Sequence, residues 1–170
     1  MKNHFRMFAA YNAWANRHLY DAVSKVPDED YRLDRGAFFK SIHGTLNHLI
    51  AADRIWMKRF TNEGDAPNRL DVILYDDFSL LKVAREAEDT RIINWIDDLR
   101  DEAFAGRFTF TTITDMRTIS QRLAPTLAHF FNHQTHHRGQ AHALLTGLGV
   151  EGPVLDLVYF QRSEEGRQFA

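Results

Sequence analysis

Apolar residues recur at helical spacing in four long stretches of this chain. From about Phe5 to Val26, the residues Phe5, Phe8, Ala15, Leu19, Ala22 and Val26 share one face, which predicts an amphipathic helix. Pro27 and the acidic run Asp28-Glu29-Asp30 end it. A second helix is predicted from about Ser41, its N-cap, to Phe60, with Ile42, Leu46, Leu49, Trp56 and Phe60 turned inward. Gly64 and Pro67 break the chain before a third, from about Phe78 to Glu102, where Leu81, Ala84, Ile92, Trp95, Ile96 and Leu99 recur three or four residues apart or at multiples of these. A fourth spans about Gln121 to Gly147, with Gly147 and Gly149 as stop signals. At about 20 to 27 residues, or about 30 to 40 Å, the four lengths match as a bundle requires.

Between the third and fourth helices, the stretch from Arg107 to Ser120 is β-branched, aromatic and partly alternating. It predicts a short hairpin turning near Thr114-Asp115. After Pro153 the tail carries Val154, Leu155, Leu157, Val158, Tyr159 and Phe160, enough apolar surface to pack back on the bundle. The expected fold is all-α, a four-helix bundle with a short β-hairpin before its last long helix. Residues 1–170 are expected to form one domain.

Composition narrows the function classes. The 170 residues are 44% apolar and 26% charged, which is ordinary for a globular domain and argues against disorder. A net charge of −2 supplies no electrostatic drive toward nucleic acid or an anionic membrane, so neither is expected as a partner. No apolar run approaches the roughly 20 residues of a membrane span. The N-terminal stretch is interrupted by Asn, Arg and His, unlike a signal peptide, so the expected location is cytoplasmic. The chain has no cysteine, which removes disulfides, thiolate zinc sites and a cysteine nucleophile. Any thiol chemistry must use a thiol from a small molecule.

Chemistry enters through the histidines. There are nine, and His129, His133, His136, His137 and His142 crowd the fourth helix. At about 100° per residue with His133 at zero, Leu144 falls near 20° and Phe130, Ala141 and Leu148 near 60 to 80°, marking the buried face. His137, at about 40°, lies inside that arc and His133 at its edge. His129 and His136 fall near −40° and −60°, and His142 points away at about 180°. Only His133 and His137 therefore face inward, and their i, i+4 spacing sets the Cβ atoms about 6 Å apart, suited to two imidazoles converging on one ion. A lone inward histidine is as readily a core residue; a pair at this spacing is a recurring metal motif. A third ligand must come from another helix. On the second, His48 sits at the boundary of the buried arc and His43 on the polar side, which makes His43 the weaker candidate.

Three segments together resemble a family. Asn12-Ala-Trp-Ala-Asn16, Leu46-Asn-His48-Leu-Ile-Ala-Ala-Asp53 and Asn132-His-Gln-Thr-His-His-Arg-Gly-Gln140 are similar to the DinB family (DinB/YfiT-like, damage-inducible-protein-like), and the resemblance covers nearly the whole chain. The last segment is the most specific. The resemblance implies up-down-down-up topology, a metal site whose ligands correspond to His48, His133 and His137, and homodimers paired through helix faces. Activities in the wider superfamily include transferases and isomerases that use low-molecular-weight thiols such as bacillithiol or mycothiol.

Other polar positions carry two readings each. Asn12, Asn16 and Asp53 either orient a ligand imidazole and hold a water, or form a buried hydrogen-bond network. Arg138 either clamps an anionic substrate or makes a structural contact. Trp14, Trp56 and Trp95 read as core.

Three neutral imidazoles leave a divalent ion its full charge and an open position, the arrangement of a catalytic zinc. Zinc or nickel leads among the metals, and iron, manganese and copper also suit such donors. Affinity should weaken as imidazole protonates, below pH about 6.5. What the resemblance implies for such a site is a metal-assisted, thiol-dependent transfer to a small electrophile. The alternatives are a metal-dependent hydrolase and a non-catalytic metal-binding stress protein. A di-iron carboxylate site would need Glu-x-x-His pairs, which are absent.

Overall fold

The computed structural model describes residues 1–112 and 115–170. In chain order its elements are α1 (Lys2–Val23), the short α2 (Asp28–Arg32), α3 (Ile42–Thr61), α4 (Phe78–Asp98), a 3-10 turn (Asp101–Ala105), β1 (Arg107–Thr111), β2 (Thr118–Arg122), α5 (Leu123–Thr146), α6 (Leu157–Arg162) and a final 3-10 turn (Arg167–Phe169). The four long helices are the four that the apolar periodicity predicts.

Side-chain partners give their directions. Arg6 meets Asp97 and Asp21 meets Lys82, so α1 and α4 run antiparallel. Phe5 stacks on Phe131 while Asn12 bonds Arg138, so α1 and α5 are parallel. Leu49 pairs with Gln134 and Trp56 with His129, so α3 and α5 are antiparallel. Asp53 meets Arg85 and Phe60 stacks on Trp95, making α3 and α4 parallel. The bundle is therefore up-down-down-up, in the cyclic order α1, α4, α3, α5.

The core has two main lobes. One gathers Leu19, Tyr20, Ile42, Leu46, Leu49, Leu81 and Leu145. The other gathers Phe5, Met57, Ile92, Ile96, Phe104, Leu127 and Phe130. Full burial of such a side chain is worth about 1.5 to 3 kcal/mol, so these stripes are what hold the helices together.

Ends depart from the pattern for local reasons. Residues before a proline avoid the helical region. Accordingly α1 stops at Val23, and Val26 reaches the core from a turn in which its N–H donates to the Val23 carbonyl at 2.9 Å. Helix α4 stops at Asp98, four residues short of the expected end, because Leu99 and Arg100 are extended and swing Phe104 into the core against Phe5. Helix α5 begins at Leu123, since Gln121 and Arg122 pair with Phe108 and Arg107 in the hairpin. Ser41 does cap α3, accepting from the Gly44 N–H at 3.1 Å.

The hairpin stands where the sequence predicts it, with Phe110 opposite Ile119 and its Phe108 and Phe110 side chains packed toward Trp56 and Phe60. Thr114, where the turn was expected, lies outside the described residues. The tail packs back: Phe160 is buried against Tyr11 and Trp14, and the Tyr11 hydroxyl donates to the Leu155 carbonyl at 2.6 Å. Among the described residues no helix is long and apolar enough to cross a membrane.

Candidate metal centre

Antiparallel packing of α3 on α5 brings His48 opposite His133 and His137. The candidate ligand atoms of all three lie within 4.8 Å of one another, and no other His, Asp or Glu among the described residues joins the group. His48 Nε2 and His133 Nε2 are 3.3 Å apart. Two nitrogens each about 2.0 to 2.1 Å from a tetrahedral ion stand about 3.3 Å apart, so this pair already has the required spacing.

The surroundings set which nitrogen faces the site. The Leu70 carbonyl, 2.8 Å from His48 Nδ1, can only accept, so Nδ1 holds the proton and Nε2 presents a lone pair. His137 Nδ1 is 2.7 Å from Gln140 Oε1, while Gln140 Nε2 is directed at His136 Nε2. Gln140 thus accepts from His137 and leaves its Nε2 free for the site. Asn47 holds the loop that carries the Leu70 carbonyl. Its side-chain oxygen accepts from the Leu74 and Tyr75 amides, both at 2.9 Å, and its amide donates to the Tyr75 carbonyl. Phe39, from the loop before α3, stacks on His48 with ring centres 3.7 Å apart and meets His137 edge-on. Gly44 permits that approach, because a Cβ there would overlap the Phe39 carbonyl oxygen.

Burial keeps these imidazoles neutral. It lowers His48 to about 4, with the Leu70 contact pulling the other way, and lowers His133 to about 3, helped by its histidine neighbours. His137 is also lowered, mainly by burial, against its bond to Gln140. Three lone pairs ready at neutral pH, with no anionic donor, fit a divalent transition metal; nothing in that donor set selects the element.

The pKa directions move the proton-competition window below the 6.5 of free imidazole. Three ordinary imidazoles would lose about 50-fold in metal affinity between pH 7.5 and 6.0. Here the loss should stay under about tenfold, as measured by chelator competition at the two pH values. A loss near 50-fold would contradict it. For the metal-free fold the sign is the reverse of a salt-bridged histidine. The folded state binds fewer protons than the unfolded one below pH about 6.5, so stability is complete above that value and declines as pH falls toward 4.

Comparison with known proteins places the chain. A profile of the DinB family matches residues 1–168. The chain belongs to the DinB family. "Protein DinB" of Bacillus subtilis is 25% identical over 161 residues, covering 86% of this chain and 87% of that protein.

The remaining family-like positions lie beside the histidine cluster. Asn12, Asn16, Asp53 and Arg138 are buried and join Arg85, Asp89 and Gln134 in one network across all four long helices. Asn12 and Asn16 donate to Asp89 at 3.2 and 3.0 Å and accept from Arg138. Arg85 bonds Asp53 at 2.7 Å and lies 2.9 Å from Asp89, while Gln134 donates to Asp53. Burial pushes the Asp53 carboxyl up to about 7, with Arg85 pulling it down. Among the described residues none of these hydrogen bonds reaches His48, His133 or His137. Arg138 is only 2% exposed, donates to Asn12 and Asn16, and lines a cavity of about 850 Å3 together with Tyr11, Phe131 and Leu155.

Sequence reasoning placed His43 on the polar side, yet it is buried, packs at a tilt against the Tyr31 ring and contacts the Tyr75 carbonyl at 3.2 Å. Loop 62–77 covers that face, which a helical wheel cannot show. His129 and His136 are exposed, and His142 meets the Pro153 carbonyl of the tail, so none joins the cluster. Arg85 and Asp89 were missed. Their i, i+4 spacing on the apolar face of α4, beside Leu81 and Ile92, was the available signal.

Proposed function

We propose that the protein is a metal-dependent transferase that joins a low-molecular-weight thiol to a small electrophile, with His48, His133 and His137 as the ligands of one zinc or nickel ion. The observation that carries this reading is a cluster of three neutral nitrogen donors without a fourth protein donor among the described residues, in a chain that has no cysteine. When bound, a divalent ion in such a donor set supplies Lewis acidity, lowering the pKa of a thiol or water placed beside it.

The chain's own residues do the rest. His48 and His137 are locked by Leu70 and Gln140 so that Nε2 of each faces the cluster. Phe39 excludes water from one side of His48 and fixes the ring plane. Among the described residues no carboxylate stands in the cluster to act as general base. A thiol ionised by the ion needs none, whereas activating water usually calls for one. In the displacement the thiol sulfur forms the new S–C bond, the leaving group departs with its electron pair, and the thiol proton passes to solvent.

The test is conjugation of bacillithiol, mycothiol or glutathione to chlorodinitrobenzene or monochlorobimane by zinc- or nickel-loaded protein. The expected rate is at least about tenfold above the uncatalysed reaction with one of the thiols, and lost in His137→Ala. Background rates with every thiol, or equal rates from the variant, would remove the reading. Ester hydrolysis without thiol would put the metal-dependent hydrolase in its place.

A further inference from the structure

A cleft lies along the α3–α5 groove, about 630 Å3 in volume and lined in part by Trp56, Arg59, Phe110, Arg122, Pro125 and His129. His129, which lines it, is also the aromatic neighbour of His133. Trp56 stands 5.4 Å from His129, ring centre to ring centre, and His129 stands 6.0 Å from His133. Its walls carry Trp56 and Phe110, its charged residues are Arg59 and Arg122, its neutral polar residues include Thr112, Gln121 and Thr126, and among the described residues no carboxylate lines it.

Arg59 is held in a fixed place. Its guanidinium carbon lies 4.6 Å from the Trp56 ring and 4.7 Å from Phe110. Stacking on two rings sets the guanidinium plane and leaves its N–H edge unused. Among the described residues neither Arg59 nor Arg122 makes a side-chain hydrogen bond or ion pair, whereas Arg6, Arg17, Arg32 and Arg54 each do. Partial burial lowers the Arg59 pKa, so its charge lacks full hydration as well as a partner. Arg122 stands at the N-cap of α5, a 24-residue helix with no acidic residue in its first turn and no side-chain cap, so the positive pole of that helix also faces this end of the groove uncompensated.

We infer that this cleft is an anion subsite that seats the carboxylate of an extended small-molecule substrate on Arg59 and Arg122, with its apolar body against Trp56 and its reacting end toward the histidine cluster. Position supplies the length. Arg59 and Arg122 are each eleven residues from His48 and His133 respectively, about 16 Å of helix rise, from which an arginine side chain reaching back subtracts several ångströms. The ligand class is thus a carboxylate-bearing molecule about 10 Å or more from acid group to reacting atom. Its role as substrate subsite rests on the transferase reading; the anion preference itself does not.

The experiment uses metal-free protein, so that a carboxylate cannot bind through an ion. Tryptophan fluorescence is titrated with 2-naphthoate and with its uncharged isostere 2-naphthamide. Naphthoate should bind about tenfold more tightly, as a charge-assisted pair predicts. Arg59→Gln and Arg122→Gln should each remove most of that preference, Arg59→Lys should keep part of it, and His137→Ala should leave it unchanged. If Arg59→Gln loses its helical circular dichroism, Arg122→Gln, at an exposed position, decides the matter. Equal affinity for the two probes would overturn the subsite, and so would a preference untouched by both arginine variants. Loss of the preference in His137→Ala would also overturn it. Absence of thiol transfer with the preference intact would sink the transferase reading and leave the anion site standing.

Discussion

His133→Ala should weaken binding of zinc or nickel by well over 100-fold. Removing a partner that merely orients a ligand costs about 10- to 100-fold, and His133 would be a ligand itself. Its Nε2 faces His48 Nε2 at 3.3 Å, so the substitution leaves two donors from different helices. The same change at His136, three residues on and exposed, should leave metal content at one ion per chain. Stability gives an independent readout. An ion at 100 times its dissociation constant adds about 2.7 kcal/mol, or about 5 to 10 °C in Tm at this chain length. A chelator should therefore lower the Tm of the parent protein and of His136→Ala, and leave His133→Ala unmoved. Full metal content in His133→Ala together with its loss in His136→Ala would show that the wrong face of α5 has been assigned.

Arg85→Ala should destabilise the fold by about 3 to 5 kcal/mol, because it strands buried charge. Two carboxylates, Asp53 and Asp89, share this one guanidinium deep between α1, α3, α4 and α5. Their remaining partners are neutral amides from Gln134, Asn12 and Asn16. Breaking an exposed pair such as Arg6–Asp97 should cost under about 1 kcal/mol by comparison. The defect should also depend on pH in a definite direction. Burial already raises Asp53 to about 7, and without Arg85 it must rise further. A carboxyl whose folded pKa exceeds its unfolded value gains folding stability as pH falls from the folded pKa toward about 4. Urea titrations should accordingly find the Arg85→Ala defect smaller at pH 5 than at pH 8. An equal defect at both would mean that the loss comes from packing and not from stranded charge.

How far the sequence reached is best judged at particular residues. Long helices announce themselves because burial of one face imposes a period that short windows display, and the apolar stripes from Phe5 to Leu144 did so. The same period sorts His133 and His137 from His129, His136 and His142, since a wheel reports direction within one helix. Direction across helices is another matter. His48 was only permitted by its wheel, and the resemblance to the DinB family singled it out. Its placement opposite His133 depends on how α3 and α5 run and in what register, which is a property of the packed bundle. His43 shows the same limit from the other side, polar on the wheel yet buried under a loop stapled by Asn47. Asn12, Asn16 and Asp53 were legible as inward polar residues and Arg138 as a candidate beside His137, but what they touch was not. The partners lie 77 residues away for Asn12 and Asp89, and 126 for Asn12 and Arg138. Nothing in the sequence singled out Arg59 or Arg122. Only the fold sets both on one cleft with Trp56 and without a carboxylate. The chain by itself therefore determined its helices, its inward faces and the inward histidine pair on α5, all governed by spacing within one element. The third histidine's position, the buried charge network and the cationic cleft were decided by tertiary structure, because each depends on the relative placement of elements that the local period does not encode.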